Sequence, residues 1–272
     1  MTKTFVMCVG SQKAGTTWLW HYLQNSSGAE FAFIKELHVW DTITIPHYSL
    51  FKDNLENYIA SATSDDISGK LRQLELIDNP SRYFSYFTYK LVGQQITGDF
   101  TPQYSALSAD TYNHIISNFA QRNVETKAIF LMRDPVDRLQ SMMRMKCYQQ
   151  GNSSPSYQDE LDSMVEHSQS LNYYYTGDYS TIVPKLDDVF KSNIHYTFYD
   201  ELFEDKSIQL ICEFLNIPFH KPDYDFNPMY SKTSNILTPT DRQYFEHLYK
   251  HIYDYTAERF PEVRKLWTYY QK

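Results

Sequence analysis

The feature that most constrains this chain is the run TFVMCV at 4–9, which stops at Gly10 and gives way within a few residues to a helical pattern. The run is rich in β-formers, and the apolar spacing of Trp18, Leu19, Tyr22 and Leu23 predicts a helix over 16–24. The chain therefore opens as strand, glycine-bounded loop and helix. The alternation continues. Residues 30–34 read as a second short strand, 95–98 as a third, 108–122 as a helix, 127–132 (KAIFLM) as a fully buried strand and 195–199 as one more. Strands alternating with helices imply an α/β fold with three layers, a central, mostly parallel sheet flanked by helices.

Pro135 stands at a first helical position behind Asp134, a good N-cap, so a helix is expected from there through Cys147. The stretch 149–157, with Gly, Asn, three Ser and a Pro, reads as a loop. Helices are expected at about 158–168, 178–191, 205–215 and 240–259. The region 42–92 is the least legible; it reads as helical in parts, with Asp65-Asp66 and a Tyr/Phe-rich stretch at 83–89. It is expected to be a cleft-shaping insertion within a single domain spanning 1–272.

A chain of 272 residues can be absorbed by one open α/β unit, and 42% hydrophobic with 21% charged residues lies in the globular range. A net charge of −8 gives no general attraction to nucleic acid or anionic lipid, so any phosphate site must be local. Cys8, Cys147 and Cys212 form neither a disulfide framework nor a zinc pattern, which favours a reducing compartment. No apolar run is long enough for a signal peptide or a membrane span, and the expectation is a soluble, cytoplasmic protein. The sequons at Asn25 and Asn152 carry little weight without a secretory route.

The loop GSQKAGTT at 10–17 joins strand to helix, so its backbone N–H groups and the positive helix end can wrap a phosphate in a P-loop-like manner. A nucleotide-hydrolysing loop reads G-x-x-x-x-G-K-[ST]; here Thr16 follows Gly15 and the lysine has moved back to position 13. A donor with one 5′-phosphate and a singly charged transferable group needs less neutralisation than a triphosphate, and no metal. Arg133 leaves the end of a buried parallel strand, where open α/β sheets bind ligands, and Ser141 lies two helical turns on. A guanidinium with a hydroxyl makes a clamp for a second phosphate.

These motifs resemble those of sulfotransferases that use 3′-phosphoadenosine 5′-phosphosulfate (PAPS). GSQKAGTTWL is similar to that family's 5′-phosphosulfate loop, and LMRDPVDRLQS, ending at Ser141, to its 3′-phosphate motif. HYTFYDEL at 195–202 and FLNIP at 214–218 are similar to its later landmarks. Within the family, KELHVWD at 35–41 resembles the heparan sulfate type and its bacterial relatives, in which a glutamate two residues before a histidine is the base. GDFTPQY at 98–104 resembles the same branch, except that Phe100 stands where a lysine is usual. Ser231-Lys232-Thr233 is the nearest match to a basic loop that the family places on the 3′-phosphate.

The resemblance implies in-line transfer of a sulfuryl group from PAPS to an acceptor hydroxyl, a carbohydrate or small alcohol, leaving 3′-phosphoadenosine 5′-phosphate. It assigns Lys13 to the bridging oxygen. Ala14, Gly15, Thr16 and Thr17 hold the 5′-phosphate, Arg133 and Ser141 the 3′-phosphate, and Trp18 and Tyr199 flank the adenine. Glu36 is the expected base, with His38 as its rival. A magnesium-dependent P-loop kinase is the second reading and a non-catalytic nucleotide-binding module the third. The acidic net charge weighs against a long polyanionic glycan as acceptor. The tyrosine clusters at 83–89 and 173–175 fit core edges better than sugar platforms.

Overall fold

The computed structural model describes residues 2–62, 67–152, 154–226 and 235–271. Lys3–Gly10 (β1), Ile96–Asp99 (β2), Val124–Met132 (β3) and Ile194–Phe198 (β4) form one sheet in the order β2-β1-β3-β4, and every pairing is parallel. Between β1 and β2 run α1 (Thr16–Gln24), α2 (Trp40–Thr44), α3 (Leu50–Ser61), α4 (Ser68–Asp78) and α5 (Ser81–Lys90). The helix α6 (Ala109–Ala120) leads into β3. Next come α7 (Pro135–Gln149), α8 (Tyr157–Ser168), α9 (Leu171–Gly177) and α10 (Tyr179–Phe190), then β4. The chain ends with α11 (Asp205–Leu215), α12 (Pro239–Leu248), α13 (Lys250–Arg259) and α14 (Val263–Leu266).

The alternation of side chains along β1 sorts the core into two layers. Phe5, Met7 and Val9 enter a cluster with residues of α5, α6, α10 and α13, whereas Val6 and Cys8 enter another with α1 and α11. Both faces of the sheet are thus covered, as a parallel sheet requires. The chain leaves β1 to build β2 on one side and returns to build β3 on the other. The carboxyl ends of β1 and β3 therefore flank the switch point, where a crevice forms outside the sheet.

Several expectations are met within a residue or two. The Asp134 side chain caps α7 by accepting from Val136 N at 3.0 Å and Asp137 N at 3.2 Å, with Pro135 in the first turn. Three differ. Residues 30–34 are not a strand: one parallel bridge, Ala29 to Ile96, touches β2 before the chain turns toward the crevice. The long helix expected at 240–259 is two helices, α12 and α13, broken at Tyr249, whose ring stacks on Tyr173 at 4.3 Å. The helix α9 lies in the Tyr-rich stretch that gave no helical signal. The region 42–92 is helical, built from most of α2 and from α3, α4 and α5; Asp65-Asp66, Ser153 and Ser231-Lys232-Thr233 lie outside the described residues. Among the described residues no helix is long and apolar enough to cross a membrane.

At Gly98 the strands β1 and β2 come so close that an added Cβ would sit 2.3 Å from the carbonyl oxygen of Val6, which is backbone and cannot move aside. Gly98→Ala is expected to destabilise the protein by at least about 2 kcal/mol, the scale of overpacking in a tight interior. Urea unfolding that matched the parent within experimental error would refute that packing argument.

Candidate active site

The loop after β1 owes its shape to two left-handed residues. Lys13 has φ 68° and Gly15, the N-cap of α1, has φ 93°. At Gly15 a Cβ would also lie 2.5 Å from Leu202 Cδ2 and 3.3 Å from Tyr199, so glycine is required by both backbone and packing. Ala14 N donates to Ser11 O at 3.2 Å, and Ala14 and Thr16 are buried while Thr17 is half-buried. The loop amides and the helix N-terminus together can hold an anion.

Arg133, leaving β3, closes on that loop: its Nη1 donates to Lys13 O at 3.2 Å, and its guanidinium lies 4.3 Å over the Tyr199 ring. Tyr179, on α10, fixes the turn by donating to Arg133 O at 2.9 Å and accepting from Arg133 N at 3.2 Å. Lys13 Nζ reaches Met145 Sδ on α7 at 3.6 Å. Burial pulls the Lys13 ammonium down, Arg133 and Lys35 add to this, and Glu36 partly restores it, leaving it at about 8. Lysine, arginine and carboxylate therefore share one crevice. Ser141 lies two turns into α7, half-buried.

The segment carrying Glu36 and His38 is pinned from beneath. Glu36 N donates to Phe100 O at 3.1 Å, and Gln73 Nε2 donates to Glu36 O at 3.2 Å and Leu37 O at 2.9 Å. Asp99 is fully buried, and Tyr83, Tyr104 and Thr101 donate to its carboxylate at 2.7–2.9 Å. The Tyr104 hydroxyl then accepts from Val39 N at 3.3 Å, tying the end of β2 to the Glu36 segment. Both Glu36 (φ 66°) and His38 (φ 53°) are left-handed, a conformation that non-glycine residues keep only where the surroundings hold them.

His38 stands between two carboxylates: Nδ1 lies 2.7 Å from Asp41 Oδ2 and Nε2 lies 3.6 Å from Glu36 Oε2. Lys35 pairs with the other oxygen of Glu36. Burial would raise the Glu36 carboxyl, but Lys35 and His38 outweigh it and hold it at about 2. Burial would lower His38, but Asp41 and Glu36 raise it to about 9. At neutral pH Glu36 is therefore a carboxylate and His38 an imidazolium. Of these groups, Glu36 also acts on the Lys13 ammonium.

Asp41 was not legible as a partner. Its signal was the His38-x-x-Asp41 spacing at a helix start, which places both on one side of the first turn. Phe203 was also missed: it meets Trp18 and Tyr199 edge-on, each at 5.2 Å between ring centroids, and is itself 38% exposed. Trp18 is buried and stacked with Tyr22 and Tyr224 at 6.1 and 5.9 Å. Phe100 packs edge-on against Phe31 at 5.4 Å, in the core on the α1 side. The lysine usual at that position in the glycan-modifying branch is thus replaced by a core residue. The tyrosine cluster is mostly core as well, with Tyr83 buried and Tyr86 half-buried, although Tyr89 is exposed.

The sulfotransferase domain model matches residues 3–238. Among solved structures, a sulfotransferase from Alicyclobacillus acidocaldarius is similar over 93% of each chain, at 19% identity and a TM-score of 0.59. The sulfotransferase domain from the curacin biosynthetic pathway covers 91% of this chain and 98% of its own, at 14% identity and a TM-score of 0.48. Mouse sulfotransferase SULT7A1, complexed with PAP, covers 92% of this chain and 84% of its own, at 14% identity and a TM-score of 0.47. No curated protein matches the sequence. A parallel sheet with a phosphate-type loop at its switch point and a family match over most of its length place this chain in the sulfotransferase domain family, whose members transfer sulfuryl groups.

Proposed function

We propose that the protein transfers a sulfuryl group from PAPS to an acceptor hydroxyl, in the manner of the heparan sulfate branch, with Glu36 as the base. The observation that carries this reading is the meeting of Lys13, Arg133 and Glu36 in one crevice at the ends of β1 and β3. When bound, PAPS supplies the sulfuryl group and departs as 3′-phosphoadenosine 5′-phosphate.

The residues present suit such a donor. The Lys13–Thr17 loop offers amides and a cation for the 5′ side, and Arg133 with Ser141 offers a guanidinium and a hydroxyl for the 3′-phosphate. Tyr199 and the exposed Phe203 provide aromatic surface for the adenine, with Trp18 behind Phe203. Lys13 stabilises the charge that develops on the leaving oxygen, and its ammonium is drawn fully into the charged state by an anion at the loop. Positioning and charge stabilisation dominate, as in phosphoryl transfer.

Between the two rival bases the charge states favour Glu36. His38 is protonated at neutral pH and has no lone pair to offer, whereas Glu36 is ionised. A carboxylate held this low is a weak base toward a free hydroxyl, so it works late: the acceptor oxygen becomes strongly acidic once it bonds to sulfur, and its proton then passes to Glu36. Asp41 and His38 act through Glu36, holding its carboxylate in place.

Three measurements test this reading. Calorimetric titration with 3′-phosphoadenosine 5′-phosphate in EDTA is expected to show binding far tighter than that of ADP. A requirement for magnesium, or indifference to the 3′-phosphate, would return a kinase to first place. Lys13→Ala and Glu36→Gln are each expected to lower turnover by at least about a hundredfold, the usual loss for a charge stabiliser or a base; near-normal turnover of Glu36→Gln removes it as the base. Because His38 is raised from its ordinary 6.5 to about 9, its contribution to stability is complete below pH 6.5 and is lost as pH rises through about 9. Imidazole resonances followed by NMR should show that elevated titration and its fall toward the ordinary value in Asp41→Asn. A parent His38 titrating near 6.5 would contradict the assigned charge state.

A further inference from the structure

Tyr179 is fully buried in the first turn of α10. Its ring meets Phe130 edge-on at 5.8 Å and Trp267 at 6.2 Å, and the helix start is capped by Asp178, whose side chain accepts from Ser180 N at 3.0 Å. The ring is therefore held independently of its hydroxyl. That hydroxyl stands between two loops. It donates to Arg133 O at 2.9 Å, accepts from Arg133 N at 3.2 Å and lies 3.2 Å from Ser11 Oγ. A phenolic oxygen has one proton to give, and Arg133 O takes it at the shortest of these distances, so the Ser11 hydroxyl is the donor in the third bond. One donated and two accepted bonds use the whole bonding capacity of Tyr179.

These bonds close a ring through the site. Ser11 opens the loop after β1, and two residues on, Lys13 O accepts from Arg133 Nη1 at 3.2 Å. From Arg133 the path returns through its own backbone to Tyr179, and from Tyr179 to Ser11. The loop that carries Lys13 to Thr17 and the arginine at the exit of β3 are thus tied twice, once by a half-buried guanidinium and once by a phenol inside the core. The sheet makes such a tie useful. The ladder between β1 and β3 shifts register between Cys8 and Gly10, just before Ser11, whose N–H still reaches Leu131 O at 2.7 Å. Beyond that bond the loop is joined to the β3 exit by side chains, and Tyr179 supplies the fully buried one.

We infer that Tyr179 is a positioning residue whose hydroxyl sets the distance between the loop that takes the 5′-phosphate and the arginine that takes the 3′-phosphate. The inference rests on the donor reading proposed above. Two anion sites held at the right spacing bind a ligand with two phosphates far more tightly than either site binds one, because the second contact forms within an already bound ligand. A small error in spacing forfeits that gain. Tyr179 is buried away from the ligand, so it acts through Ser11 and Arg133 from the core side of the crevice.

Paired nucleotides test the spacing. 3′-Phosphoadenosine 5′-phosphate and adenosine 5′-monophosphate differ only in the 3′-phosphate, and the ratio of their affinities, measured by calorimetry in EDTA, reports how well both subsites are engaged together. Tyr179→Phe keeps the ring on Phe130 and Trp267 and removes only the hydroxyl. It is expected to lower that ratio by at least about tenfold, while the affinity for adenosine 5′-monophosphate changes by less than about threefold. Ser11→Ala opens the same ring at its next member and should lower the ratio in the same direction. Tyr196→Phe removes a hydroxyl bond of 2.9 Å to Asp187, toward the other end of α10, and should leave the ratio unchanged. A general loosening of the fold would weaken both nucleotides by one factor and leave the ratio intact. A ratio retained in Tyr179→Phe, or an equal fall in Tyr196→Phe, would overturn the inference; if Tyr179→Phe does not fold, a ratio retained in Ser11→Ala does so. A parent protein that binds the two nucleotides equally would refute the donor reading, and the inference with it.

Discussion

The site depends on an electrostatic imbalance. At the crevice, burial together with the neighbouring Arg133 and Lys35 disfavours the charge of the Lys13 ammonium. Glu36 is the carboxylate that offsets them from within. Its ordinary tendency to protonate on burial is overcome because Lys35 and His38 need its charge, and His38 in turn stays charged because Asp41 supports it from the other side. Lys13, Arg133 and the loop amides together make a positive crevice that an anion would complement.

Such an arrangement needs a rigid support, because each charged group would otherwise swing toward water. The support is the sheet. Parallel pairing of β1 with both neighbours fixes where the loop after Gly10, the exit of β3 at Arg133 and the exit of β2 at Asp99 lie relative to one another. Asp99 then transmits that order outward: its three hydroxyl donors satisfy a buried carboxylate, and one of them, Tyr104, holds the backbone of the Glu36 segment. Left-handed conformations at Lys13, Glu36 and His38 are maintained by these contacts and aim the side chains where an extended backbone would not.

What could be read from the sequence was whatever is decided locally. The strand, loop and helix at 3–24 and the Asp134-Pro135 helix start are set by residues within a few positions of one another, and both stand where the sequence places them. Residues 30–34 look like a strand by composition, yet after Ala29 the chain is held instead by Tyr86, Gln73 and Phe100, all distant in sequence. The break at Tyr249 answers to Tyr173 across the fold, and α3 and α4 present apolar residues too sparse to bound the helices that the sequence shows there only in parts. In the site, Lys13, Arg133 and Glu36 lie in motifs that the sequence displays. Asp41 and Phe203 are defined by what they touch: the three-residue spacing to His38 is the one local hint of the first, and no spacing encodes the second.

The same division separates the two halves of the crevice. The side that carries Lys13 and Arg133 is built from strand ends and the loops that leave them, so its residues occur in compact motifs and its geometry follows from the sheet. The side that carries Glu36 and His38 is backed by α3 and α4, which meet the chain at 31–41 through Phe51 and Gln73. Helices attached in this way can change their outward residues without disturbing the strand ends. Those outward residues can therefore vary while the position of Glu36 stays fixed, because its backbone is anchored beyond β2 through Phe100 and to α4 through a single glutamine.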